Sequence, residues 1–272
     1  MNNLTDEKIL VCYLLAKFDN EESLLNFIKN YTKYESGLHH KLLICFKLID
    51  AKTINLFSKH LSNISFIEFI DNHNLNDFDF GSYKRVAEKF PEMDILFLNS
   101  HSYPACNNWL QKLMLHKNDD NLIGTTGSFE SLADSIKLKK FYKFISFFLR
   151  KIKYKNDFNS FPNPHLRTSS FLVKGKLFYN FIKNKKINNK YDTWKIESGK
   201  YSLTNYFKKK GVDIFVINSD GKKFTENQWL LSETFNYLDQ SKCIISDKHT
   251  RKYLKFNNSD KKKAQYKTWG KQ

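Results

Sequence analysis

Glycine and proline are scarce in this 272-residue chain, at nine and four residues, and no stretch is built from them. That excludes a collagen-like repeat and a Pro/Gly-rich linker. The four cysteines, Cys12, Cys45, Cys106 and Cys243, stand far apart with no CxxC pair. A zinc ribbon and a dithiol redox motif are therefore missing, and the thiols are expected to be reduced and mostly buried. No apolar run approaches the roughly 20 residues that cross a bilayer. The first eight residues, MNNLTDEK, are polar and acidic, unlike a secretory leader, so the expected compartment is the cytoplasm. Also absent are GxxxxGK followed by Ser or Thr, GxGxxG, GxSxG and HExxH. The common nucleotide hydrolases, dinucleotide enzymes and zinc hydrolases drop out with them.

What is present is aromatic and basic. Phe, Tyr and Trp make up 16% of the chain, enough for a large ordered core. Forty-five Lys and Arg against 28 Asp and Glu leave a net charge of +17, a field that favours an anionic partner without naming it. Apolar runs at 9–16, 41–48 and 65–70 read as strands, and 21–34 and 53–61 carry helical spacing. A helix over 83–90 and a strand at Asp94–Leu98 follow. Strand and helix in alternation predict an α/β layer architecture with a mostly parallel sheet, in which ligands collect at the carboxyl ends of strands. With no linker and no repeat, the chain reads as a single domain, residues 1–220 forming the core and 221–272 a C-terminal extension packed on it.

Between Ile136 and Lys155 there is no acidic residue, while seven Lys, one Arg and a stripe of Phe, Leu and Ile recur at three- and four-residue steps. Such a helix either lies on an anionic membrane surface or packs its aromatic face on its own core.

Short polar clusters punctuate the strand ends: Asp79-Phe-Gly-Ser-Tyr83, Leu98-Asn-Ser-His-Ser102, Gly124–Ser131 (GTTGSFES), Asn163–Thr168 (NPHLRT) and Glu197–Thr204 (ESGKYSLT). In this order they resemble bacterial GT-A glycosyltransferases related to family 2, of the kind found in polysaccharide and O-antigen loci, over nearly the whole chain. The resemblance implies a GT-A-like fold and transfer of a sugar from a nucleotide-diphosphate donor to a glycan or lipid-linked acceptor. It tilts towards inversion.

It also implies roles. Enzymes of this kind hold the donor diphosphate through a divalent cation on a DxD turn; here Asn99-Ser100-His101 occupies that turn, without a carboxylate. His101 and a late His249, with Asp247 the nearest carboxylate, are the candidate ligands for Mn2+ or Mg2+, and metal independence stays open. Without a metal, cations such as Arg167 and Arg85 would face the diphosphate. Asp79 either caps the helix after it or reaches the donor's base or ribose, and Gly81 either lets the backbone approach the nucleotide or only marks a turn. Glu197 takes the place of the general base, at the start of a helix over 201–209, with Ser198 where the family carries a second acid. Glu130 is the alternative base. Glu130, His165, Thr168 and Ser169 are the candidate acceptor contacts. Two other readings remain: a single-stranded nucleic-acid binder, against which stands the even spread of basic residues, and a silent GT-A-like scaffold.

Overall fold

The computed structural model describes residues 8–135 and 144–271. Among the described residues the strands are β1 (Ile9–Ala16), β2 (Lys41–Lys47), β3 (Ile67–Asp71), β4 (Asp94–Leu98), β5 (Tyr103–Pro104), β6 (Asn121–Gly124), β7 (Gly127–Ser128), β8 (His165–Leu166), β9 (Ser170–Lys174), β10 (Asp213–Ile217), β11 (Lys223–Phe224) and β12 (Ile245–Ser246). Helices are α1 (Glu21–Lys33), α2 (Ala51–His60), α3 (Phe78–Lys89), α4 (Trp109–Met114), α5 (Phe144–Asp157), α6 (Gly175–Ile182), α7 (Lys190–Ser198), α8 (Leu203–Lys209), α9 (Lys248–Leu254) and α10 (Asn258–Trp269), with a 3-10 helix at Glu226–Ser232.

Eight strands make one sheet in the order β11-β10-β6-β9-β4-β1-β2-β3. β3, β2, β1 and β4 run parallel, as do β6 and β10. β9 is antiparallel to both β4 and β6. The expected α/β architecture with a mostly parallel sheet flanked by helices is thus the one observed. Alternation along β1 shows why both faces are covered. Leu10, Cys12 and Leu14 enter one core with Phe97, Phe171 and Phe178, while Val11, Tyr13 and Leu15 enter the other with Phe27, Trp109 and Ile44. Helix starts follow from local chemistry: Asn20, Asp50 and Asn189 each accept a bond from a backbone N–H of the first turn of α1, α2 and α7.

The reversal at β9 positions the site. Because β9 enters the sheet against β4, Leu98 at the end of β4 faces Ser170 at the start of β9. The chain just before β9 therefore meets the chain just after β4, and Asn99 N–H donates to Ser169 O at 3.1 Å.

α3 begins at Phe78, five residues ahead of the expected start at Tyr83. Phe80 and Tyr83 are buried in the core, and their burial overrides the turn signal of Gly81. Gly81 thus lies within the first turn of α3 rather than in a turn ahead of it. A Cβ on it would lie 2.0 Å from the Asp77 carboxylate. That carboxylate belongs to a buried network at the ends of β2 and β3. Lys47 bonds Asp77, Arg85 donates to Asp71 at 2.6 Å and to Asp77 at 2.8 Å, and Ser82 donates to Asp71 at 2.6 Å. Arg85 is consequently engaged by two carboxylates and is not free to face a diphosphate. Burial would raise the Asp71 carboxyl, but the Arg85 and Ser82 contacts hold it below its ordinary value.

The residues after 220 are stitched into the core: β11 extends the sheet, β12 pairs with β5, and Trp269 packs on Phe129. Of the basic amphipathic stretch, residues 136–143 lie outside the described residues. The remainder forms α5, whose Ile145, Phe148 and Leu149 are exposed at 76%, 54% and 63% rather than packed on the core. Among the described residues no helix is long and apolar enough to cross a membrane.

Gly81→Ala should destabilise the fold by about 1–3 kcal/mol, because the methyl group must displace Asp77 from Lys47 and Arg85. Denaturant unfolding of the two proteins checks this.

Candidate active site

A cavity of about 350 Å3 opens at the edge where β4 and β6 end and β9 begins. Asn99 and Glu197, 98 positions apart in sequence, both line it. Glu197 arrives on α7. It occupies the last turn of that helix, not the first turn of the next one, so the helix dipole disfavours its charge rather than supporting it. Thr168 supplies the compensation. Its N–H and its hydroxyl donate to Glu197 Oε1 at 3.0 and 3.1 Å. Among the described residues both bonds go to Oε1, which leaves Oε2 to accept a proton.

His165 stands beside it, buried, with Nδ1 bonded to Asn163 O at 2.8 Å. Nδ1 must carry the hydrogen in that bond, which leaves Nε2 as an acceptor. Burial pushes the imidazole pKa down, with Glu197 opposing, so the ring is neutral at pH 7. Asn163 in turn donates to Ser198 O at 2.7 Å and ties the strand-end loop to α7.

Arg167 lines the cavity, but its charge is already matched. Nη1 donates to Asp247 Oδ2 at 2.7 Å, and the guanidinium lies 3.8 Å from the Phe235 ring centre. Burial would raise the Asp247 carboxyl; the Arg167 charge and the N–H groups of α9 hold it well below the carboxylate range instead. Asp247 is also the N-cap of α9, accepting from His249 N–H and Thr250 N–H at 2.7 and 2.9 Å. It is therefore a structural counter-ion, and Arg167 is a buried partner rather than a free anion binder.

Asp79 sits in the first turn of α3 without capping it and lines the cavity. Burial raises its carboxyl above the ordinary value, with Lys190 opposing. Lys190 was not apparent from sequence, nor was Trp194. Both come from α7, whose weak apolar patterning gave no helical signal. The cap Asn189 with Asp192 in the first turn was the one available cue. Among the described residues Lys190 enters no ion pair, which distinguishes it from Arg167 as a cation at this cavity. Glu130 lines the rim, paired with Lys267 at 2.5 Å, and Ser169 joins the same wall.

The turn after β4 is committed to itself. Asn99 Oδ1 accepts from His101 N–H at 3.1 Å and from Ser102 Oγ at 2.8 Å, and Ser100 O accepts from the Tyr13 hydroxyl at 2.7 Å. Ser100 and His101 line a smaller neighbouring cavity of about 240 Å3, where His101 Nε2 lies 3.8 Å from Asp19. His249 instead lines the Glu197 cavity. The two histidines expected to share a metal are therefore in different cavities. Among the described residues no three His, Cys, Asp or Glu side chains are placed to hold an ion. The two expected histidines therefore do not form a site for Mg2+ or Mn2+ as arranged, and the carboxylates of the Glu197 cavity do not complete one with His249.

No protein-family profile and no curated protein matches the chain. Solved structures similar to it include the glycosyltransferase GlyE of Streptococcus pneumoniae TIGR4, 13% identical over 76% of this chain and 44% of GlyE, with a TM-score of 0.43. The mannosyltransferase PcManGT of Pyrobaculum calidifontis, in complex with GDP-Man and Mn2+, is 7% identical over 70% of this chain and 51% of its own, with a TM-score of 0.42. The 4-diphosphocytidyl-2C-methyl-D-erythritol synthase of Anaerococcus prevotii is 10% identical over 84% of this chain and 97% of its own, with a TM-score of 0.46. The chain thus spans about half the length of the two transferases.

Asp247→Asn would leave the Arg167 charge buried without a counter-charge, and a loss of about 3–5 kcal/mol in unfolding free energy is expected. Because the native Asp247 carboxyl lies below its unfolded value of about 3.9, its contribution is complete at neutral pH and disappears as pH falls below about 4. Melting temperatures from pH 7 to pH 3 should fall for the parent protein and much less for the Asn variant.

Proposed function

We propose that this chain is a glycosyltransferase of GT-A type that moves a sugar from a nucleotide-diphosphate donor to a glycan or lipid-linked acceptor in surface polysaccharide synthesis. The observation that carries the reading is the Glu197 carboxylate, fixed by Thr168 in a cavity that Asn99, the first residue after β4, also lines. A carboxylate held on one oxygen and open on the other, at the carboxyl edge of a parallel sheet, suits a general base acting on a bound hydroxyl.

In the reaction the acceptor hydroxyl attacks C1 of the donor sugar from the face opposite the diphosphate, with inversion. Its proton passes to Glu197 Oε2, and the bond from C1 to the β-phosphate oxygen breaks, leaving a nucleoside diphosphate. Negative charge grows on that leaving oxygen. Lys190 is the cation that meets it, and Trp194 offers an aromatic face to the sugar. Asp79 reaches the donor's ribose or base, while Thr168, His165 and Ser169 position the acceptor. With the two expected histidine ligands in separate cavities, the step is carried here by the chain's own residues.

The exposed apolar face of α5, flanked by Arg150, Lys151, Lys153 and Lys155, supports peripheral contact with an anionic membrane surface, where a lipid-linked acceptor would reside.

A nucleotide-sugar screen, with and without Mn2+, tests activity and metal need together. Glu197→Gln should lower kcat at least about 100-fold while donor affinity stays within twofold. Full turnover in that variant would remove Glu197 as the base. Lys190→Gln should weaken donor binding roughly tenfold, measured by calorimetry. For the membrane contact, Phe148→Asp combined with Leu149→Asp should abolish sedimentation with phosphatidylglycerol vesicles; undiminished sedimentation would move the contact elsewhere.

A further inference from the structure

A second cavity of about 750 Å3 adjoins the first, and Glu130 lines both. Its volume lies within the roughly 300–1,000 Å3 typical of small-molecule sites. One wall is α10 and its continuation. Lys263 and Lys267, four residues apart, share a helix face, and Lys271 follows the turn at Gly270, where φ is 85°. The other wall holds Phe161, fixed through its N–H, which donates to Asp134 Oδ2 at 2.7 Å. The Phe161 ring lies so close to Gly270 that a Cβ there would stand 2.9 Å from it, which explains a glycine at the end of α10.

Phe161 and Tyr266 line the cavity while 40% and 67% exposed. Two open aromatic rings among carboxylates, hydroxyls and amines are the chemistry of a saccharide site: apolar C–H faces lie on the rings and hydroxyls bond the polar groups. The cations add a sign. Lys267 is held by Glu130, and among the described residues Lys263 pairs with the solvent-facing Asp260, at 3.2 Å. Lys271 enters no ion pair among the described residues. Together with the +17 chain charge, this favours a ligand bearing an acid.

The geometry points to an acceptor subsite for a saccharide carrying a carboxylate or phosphate. Its reacting hydroxyl passes the Lys267–Glu130 pair into the Glu197 cavity, and its remainder rests between Phe161 and Tyr266 with its acid on Lys263 and Lys271. This rests on the transferase reading above, and the test separates the two.

The full chain is first screened for nucleotide-sugar binding by thermal shift. It is then titrated by NMR with neutral malto-oligosaccharides and with acidic oligogalacturonides and phosphorylated oligosaccharides. The expected result is acidic ligands bound roughly tenfold tighter than neutral ones, with the difference shrinking as salt is added. Tyr266→Ala and Lys271→Gln, both at exposed positions, should each weaken that binding several-fold with the melting temperature unchanged. The subsite is overturned if a chain that binds a nucleotide sugar takes no saccharide, takes neutral and acidic ones equally, or binds undiminished in both variants. Acidic saccharide bound through Tyr266 and Lys271 by a chain that takes no nucleotide sugar would instead overturn the transferase reading and leave this site standing.

Discussion

The buried pair of Arg167 and Asp247 is the interaction on which the site's geometry depends. Arg167 belongs to the loop that enters β9, Asp247 to the cap of α9, and 80 residues of chain separate them. Neither charge could be buried alone, because desolvation of a single ion costs several kcal/mol. Together they fix the loop at 165–169 against the C-terminal segment, and that loop carries Thr168, which in turn holds Glu197. A cation expected opposite a phosphate is thus paired with a buried carboxylate beside the loop that holds Glu197.

The antiparallel strand β9 is the second constraint. In an all-parallel sheet the segment before β9 would emerge at the amino edge, far from the turn after β4. Reversed, it delivers residues 165–169 to the carboxyl edge, and the register of Leu98 with Ser170 sets their distance from Asn99. The same reversal lets α7 and α8 close over the loop, with Leu166 N–H donating to Thr204 Oγ1 at 2.9 Å. Position along the chain and position in the site therefore have little to do with one another.

What the sequence disclosed follows from this. β1, β2 and β4 were legible because strands buried on both faces are continuous apolar runs, and α1 and α2 because their single buried stripe has the helical period. α7 was illegible: it is short and mostly half-buried, and it puts Ile196 into the core while Lys190, Trp194 and Glu197 line the cavity. Glu197 was singled out from its place in an ordered series of polar clusters and set at the start of a helix over 201–209, whereas it ends α7, a helix not read from sequence, and the turn at 199–202 separates it from α8. Ion pairing was hidden as well. Nothing in the spacing of Arg85 or Arg167 tells that carboxylates at 71, 77 and 247 neutralise them.

The charge distribution then becomes informative in a way that net charge is not. Lysines and arginines that meet buried acids are removed from recognition, as at Lys47, Arg85 and Arg167. Among the described residues two cations without an ion pair line the two adjoining cavities, Lys190 beside Glu197 and Lys271 beside Phe161, and those cavities meet at Glu130. A donor diphosphate at the first and an acid-bearing saccharide at the second would place one anion on each side of the Lys267–Glu130 pair. That pair carries no net charge, so each anion would depend on the cation of its own cavity, Lys190 in the first and Lys271 in the second.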